Sequence, residues 1–116
     1  VSVWVERTIA ERLPEVNARD LAEAWRTLLH RARLSAHHHV SREELSVREH
    51  MSGILRRLRE RRVLEFTELF DPARGVAVLV VTLLAVLELA RESLLELTQS
   101  GNFAPIYVKL ADAESR

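Results

Sequence analysis

The chain has 116 residues, of which 47% are hydrophobic and 29% charged, the balance of one ordinary globular domain with at most an appendage. Its formal net charge is zero, and the neutrality is local: residues 1–45 hold seven Arg against seven acidic side chains, residues 46–116 ten basic against ten acidic. That balance gives no general attraction to phosphate backbones, the lack of Cys excludes disulfides and thiolate zinc sites, and the length leaves little room for a deep substrate pocket.

The first residue is Val1 rather than Met, which points to a piece of a longer protein. Val5, Ile9 and Leu13 share one helical stripe, and Pro14 disfavours helical geometry for the residue before it, so a first helix is expected to end at Leu13. A second is expected from Asn17, a good N-cap with Asp20 three positions on. Its apolar stripe is Leu21, Trp25, Leu28, Leu29 and Ala32. Both helices are short and charged on their outer faces, so each needs something to pack against. Residues 35–45 (SAHHHVSREEL) have no period and read as a connector.

From Ser46 the pattern sharpens. Ser46 and Glu49 form an S-x-x-E capping box, and Val47, Met51, Ile54, Leu55 and Leu58 mark one face of the helix that follows. Leu64–Phe66 suits a short strand, and Thr67 can cap a single helical turn through Phe70. Asp71-Pro72 reads as an N-cap with proline at the first helical position, opening a long helix to about Arg91. Residues 93–99 alternate as a half-buried strand, Ser100-Gly101-Asn102 is a turn, and Ile106, Val108 and Leu110 alternate with Tyr107 and Lys109 in a returning strand. Helix, strand, short helix, long helix and hairpin is the winged-helix order. The fold expected is mainly α with a small β-wing, an α+β helix-turn-helix variant preceded by short helices.

In a winged helix that reads DNA, the long helix before the hairpin offers polar or basic side chains to base edges. Here Val76–Leu87 contains one polar side chain, Thr82, and no Arg, Lys, Asn or Gln stands between Gly75 and Ala90. Groove reading fails on chemistry. Two readings of the helix stay open: a core helix buried on all sides, or one with an edge meeting another protein. A membrane span is disfavoured, because the run is shorter than the roughly 20 residues a bilayer needs and Glu88 and Arg91 close it.

The stretches SREELSVREHM, FTELF, VVTLLAVLELA and QSGNFAPIYVKL, in that order and at those spacings, resemble the C-terminal region of the ScpA family of bacterial kleisins over about residues 41–110. The resemblance implies a non-enzymatic adaptor without a cofactor. In this family a C-terminal winged helix caps the ATPase head of an SMC protein, and the segment before it is held by a ScpB dimer. The complex serves chromosome condensation and segregation in the cytoplasm, at the nucleoid. By this resemblance residues 41–110 are the head-capping domain and residues 1–40 the central segment expected to contact ScpB; residues 111–116, at the chain end, are expected to fray. DNA would be reached only through the complex, and neither membrane nor small-molecule substrate is implied.

For the SMC head, the candidate contact is the wing: Phe103, Pro105, Ile106, Tyr107 and Val108 gather apolar and aromatic groups beside an exposed turn, and a strand edge near Val108 could pair with a partner's sheet. The alternative is that Phe103 and Ile106 seal the hairpin onto the long helix, which suits Ile106 best, while Tyr107 suits the interface. For ScpB the candidates are Leu21, Trp25, Leu28 and Leu29, with a seam against the winged helix standing equal to a docking stripe. His37, His38 and His39 read as loop histidines, since nothing nearby completes a tetrahedron of ligands. Arg56, Arg57, Arg59, Arg61 and Arg62 read as the solvated back of a helix. No Gly-rich phosphate loop or Ser-His-Asp spacing suggests catalysis. The competing function is a winged-helix DNA-binding transcriptional regulator.

Overall fold

The computed structural model describes residues 16–34 and 41–111; the helix expected over residues 1–13, the His37–His39 triplet and residues 112–116 of the expected tail lie outside them, whereas Ala111, expected as the start of that tail, is buried and its N–H donates to the Leu94 carbonyl at 3.1 Å. Helix α1 (Ala18–Arg33) starts at the expected cap. The Asn17 side chain accepts from the N–H of Arg19 at 2.9 Å and of Asp20 at 3.1 Å, filling two of the orphaned donors of a helix start. Helix α2 (Val47–Arg61) starts on Ser46, whose hydroxyl accepts from the Glu49 N–H at 3.2 Å. The Ser46 N–H donates to the Glu43 carbonyl at 3.1 Å, because a 3-10 turn over Glu43–Leu45 runs up to the cap.

After α2 come strand β1 (Val63–Glu65), two 3-10 turns (Phe66–Leu69 and Pro72–Arg74), helix α3 (Val76–Arg91), and the strands β2 (Leu95–Gln99) and β3 (Ile106–Leu110). The short helix expected here is thus a pair of tight turns. Glu65 rather than Thr67 stands at the cap of the first, its N–H donating to Glu68 Oε2 at 2.8 Å. Asp71 caps as expected, accepting from the Ala73 N–H at 3.1 Å, but what it caps is the second turn and not the long helix. Gly75 separates the two, with φ 96° and ψ 171°, a conformation essentially confined to glycine.

The three strands form an antiparallel sheet in the order β1-β3-β2, with Leu64 and Leu97 both opposite Val108 and Gln99 opposite Ile106. Alternation along the strands sends Leu64, Leu95, Leu97, Ile106 and Val108 inward. The order of elements and the sheet make this a winged-helix-like α+β fold. One expectation is corrected: β3 is the central strand, so Val108, with none of its surface exposed, has no free edge to offer a partner's sheet. The edges belong to β1 and β2.

Helix α3 runs through the centre, burying Leu79, Leu83, Val86 and Leu89 among others in the core it shares with α2 and the sheet. Helix α1 joins the same core. Leu21, Trp25, Leu28 and Ala32 are buried and Leu29 half-buried, with the Trp25 ring edge-on to Phe70 at 6.0 Å and Phe70 in turn 4.9 Å from Phe66. Of the two partners open to the Trp25 stripe, this chain itself occupies it. A docking stripe for another protein would have to leave the core first.

Trp25→Ala should therefore destabilise the intact chain by about 3–5 kcal/mol, read as one cooperative denaturant transition with a lowered midpoint. An unchanged midpoint would show that α1 contributes nothing to the core.

Candidate interaction surface

The hairpin places its residues by strand parity. Ile106 and Val108 face inward and are buried, whereas Tyr107 between them turns outward and keeps 43% of its surface exposed. Pro105 is exposed at the start of β3, and Phe103, in the turn, is 91% exposed. Of the five wing candidates, three are thus accessible and two support them from inside. Phe103 bears two disfavoured conditions at once. Its φ of 67° lies in the left-handed region, roughly 1–2 kcal/mol unfavourable for a residue with a side chain. Its exposed ring forgoes roughly 1.5–3 kcal/mol of burial.

Residues far away in the sequence hold that turn. Asp20 Oδ2 accepts from the Phe103 N–H at 2.6 Å and from Gln99 Nε2 at 2.8 Å. Gln99 also donates to the Ala104 carbonyl at 2.9 Å and accepts from the Asn17 N–H at 2.9 Å, while Asn17 Nδ2 donates to Asn102 Oδ1 at 3.0 Å. The start of α1 is thereby tied to the wing. Asp20, Gln99 and Asn102 were not singled out from sequence as site residues: Asp20 reads locally as helix-start chemistry, and nothing short-range signals a bond across 83 positions.

Helix α3 is not buried on all sides: Val76, Val80 and Leu84, at four-residue steps, are 36%, 38% and 43% exposed. That edge carries no hydrogen-bond donor for a base. The buried Thr82 donates to the Val78 carbonyl at 2.8 Å and lies 3.4 Å from His50 Nδ1. Arg56, Arg57, Arg59, Arg61 and Arg62 are all exposed, as expected of a solvated face. Two of them reach the first 3-10 turn, Arg57 donating to the Glu68 carbonyl at 3.0 Å and Arg61 lying 3.8 Å from the Glu68 carboxylate.

A hollow of about 520 Å³ opens between α2, the turn before it and α3, lined by Glu44, Glu49, His50, Arg57, Arg74 and Thr82 among others. Several of its polar groups bind one another. Arg74 pairs with Glu44 at 3.0 Å, and His50 Nε2 lies 2.7 Å from the Glu44 carbonyl, which only accepts, so that nitrogen carries the proton. Among the described residues no group of three His, Asp or Glu could hold a metal ion, and no helix is long and apolar enough to cross a membrane.

A family model described as segregation and condensation protein ScpA matches residues 5–111. Relatives named segregation and condensation protein A are 40% identical over 104 residues in Xylella fastidiosa (strain 9a5c), covering 90% of this chain and 34% of theirs, and 41% identical over 96 residues in Coxiella burnetii, covering 83% and 36%. One from Listeria welshimeri is 34% identical over 99 residues, covering 82% and 39%. The chain spans little more than a third of the length of these curated relatives. No solved structure gives a significant match.

The Glu44 carboxyl is held below the usual glutamate range, first by the Ser41 N–H and next by the Arg74 guanidinium, with desolvation opposing. A depressed value in the folded state means its stabilising contribution is full above the unfolded value of about 4.3 and is lost as pH falls through the folded one. In an NMR titration Glu44 should protonate below that range, and Arg74→Ala should move it part of the way back. An unshifted Glu44 in the variant would show that the pair has no influence.

Proposed function

The chain belongs to the ScpA family of segregation and condensation proteins, and on that premise we propose that it is a non-enzymatic adaptor whose winged-helix domain docks through its wing on the ATPase head of an SMC protein. The observation that carries the reading is the wing itself: Phe103 stands 91% exposed beside Pro105, with Tyr107 turned outward on the neighbouring strand. Aromatic side chains presented at a rim are the usual anchors of protein interfaces. Ile106 and Val108 act from beneath, sealing the hairpin to the core so that the anchors stand on a rigid base.

Contact with a ScpB dimer falls, on the same reading, to the segment over residues 1–40. The buried stripe of Leu21, Trp25 and Leu28 already packs inside this chain, so that contact would use other surface of the segment. Work at the nucleoid, in the cytoplasm, follows from the role in chromosome segregation. The regulator alternative has little support, because the helix that would enter a major groove exposes Val76, Val80 and Leu84 where base contacts need donors and acceptors.

Titration of the intact chain with an SMC ATPase head should show binding. Phe103→Asp or Tyr107→Ala, in a chain that melts as the parent does, should weaken it at least about tenfold, the size of an interface anchor. Undiminished binding in both variants would remove the wing from the interface. On duplex DNA at low salt the chain should show no retention; salt-sensitive retention would restore the regulator reading.

A further inference from the structure

We infer that Asp20 is a positioning residue for the wing's partner contact, holding the Phe103 ring in the single turn geometry that a partner's apolar cleft meets. The inference rests on the wing reading above and adds a residue to it that lies 83 positions away in sequence.

A turn such as Ser100–Pro105, exposed at its tip, has many conformations open to it. An aromatic residue with φ 67° is a minority choice among them unless something outside the turn enforces it. The enforcing group is one carboxylate oxygen, Asp20 Oδ2, on which two donors converge: the Phe103 N–H itself and the Gln99 side chain at the end of β2. Both bonds are charge-assisted and short. Gln99 then fixes the far side of the turn through the Ala104 carbonyl, so the backbone is gripped on both sides of Phe103. Among the described residues nothing comparable restrains the ring, which projects into solvent with 91% of its surface free. The backbone is locked and the side chain presented, the arrangement that lowers the ordering cost of binding.

Asp20 has a simpler possible role, as an acid in the first turn of α1, where negative charge is favoured. The cap there is already supplied by Asn17, whose side chain takes the Arg19 and Asp20 amides. The carboxylate of Asp20 is turned to the wing instead. A helix-start role predicts lower stability on substitution; a positioning role predicts weaker partner binding that depends on Phe103.

The experiment is a double-mutant cycle on the intact chain, with affinity for an SMC ATPase head as the readout. Asp20→Ala should weaken binding about fivefold, Phe103→Ala by more, and the double variant no further than Phe103→Ala alone, since without the ring its placement no longer matters. Asp20→Asn keeps an oxygen acceptor and should fall between the parent and Asp20→Ala, which serves if Asp20→Ala does not fold. Hydrogen exchange at the Phe103 amide should speed up in the Asp20 variants. Independent losses that multiply in the double variant, or an Asp20→Asn and Asp20→Ala pair that bind as the parent does, would overturn the inference and leave the wing reading standing. A Phe103→Ala chain that binds undiminished would overturn the wing reading itself.

Discussion

The burial of α3 is the constraint on which the rest depends. A sixteen-residue helix carrying Val, Leu and Ala at nearly every position cannot stand in water on a single contact face. Helix α2 covers one side, strand β2 another, and α1 with the Pro72–Arg74 turn closes much of what remains. What is left is the narrow edge of Val76, Val80 and Leu84. The same composition that makes the helix the centre of the fold disqualifies it for reading bases. On the proposed reading, a winged-helix scaffold whose groove-reading element has become core meets its partner with another part.

That part is the wing. Strand β3 divides its residues between two tasks by simple alternation: Ile106 and Val108 hold the hairpin down while Tyr107 looks out. At the tip, Phe103 is exposed in a backbone conformation that a side chain disfavours, and the start of α1 supports it through Asp20 and Gln99. Stability and presentation are thus joined in one element. The central position of β3, paired on both sides, gives the exposed residues a stiff footing that an edge strand would lack.

Much of this was legible in the sequence because it is local. Asn17 and Ser46 announce their helices by capping chemistry, the α2 face by its spacing, and the hairpin by two alternating runs around Ser100-Gly101-Asn102. What was not legible is long-range or conformational. No periodicity tells that β1 pairs with β3, which is what moves Val108 from an expected edge to the middle of the sheet. The break at Gly75 depends on a backbone geometry, so Asp71-Pro72 looked like the start of the long helix when it starts only a tight turn. The Trp25 stripe was plainly apolar, but its target, Phe70, is known only once the chain is folded. The clamp on the wing joins residues 79 to 85 positions apart and leaves no local trace at all.

The most direct test of the claim that this domain clasps protein by its wing is a hydrogen-exchange footprint of the intact chain with and without an SMC ATPase head. Protection gathered on the turn amides of residues 100–105 and the adjoining strand ends is the predicted result. A bound head that leaves those amides exchanging as fast as in the free chain would contradict the account.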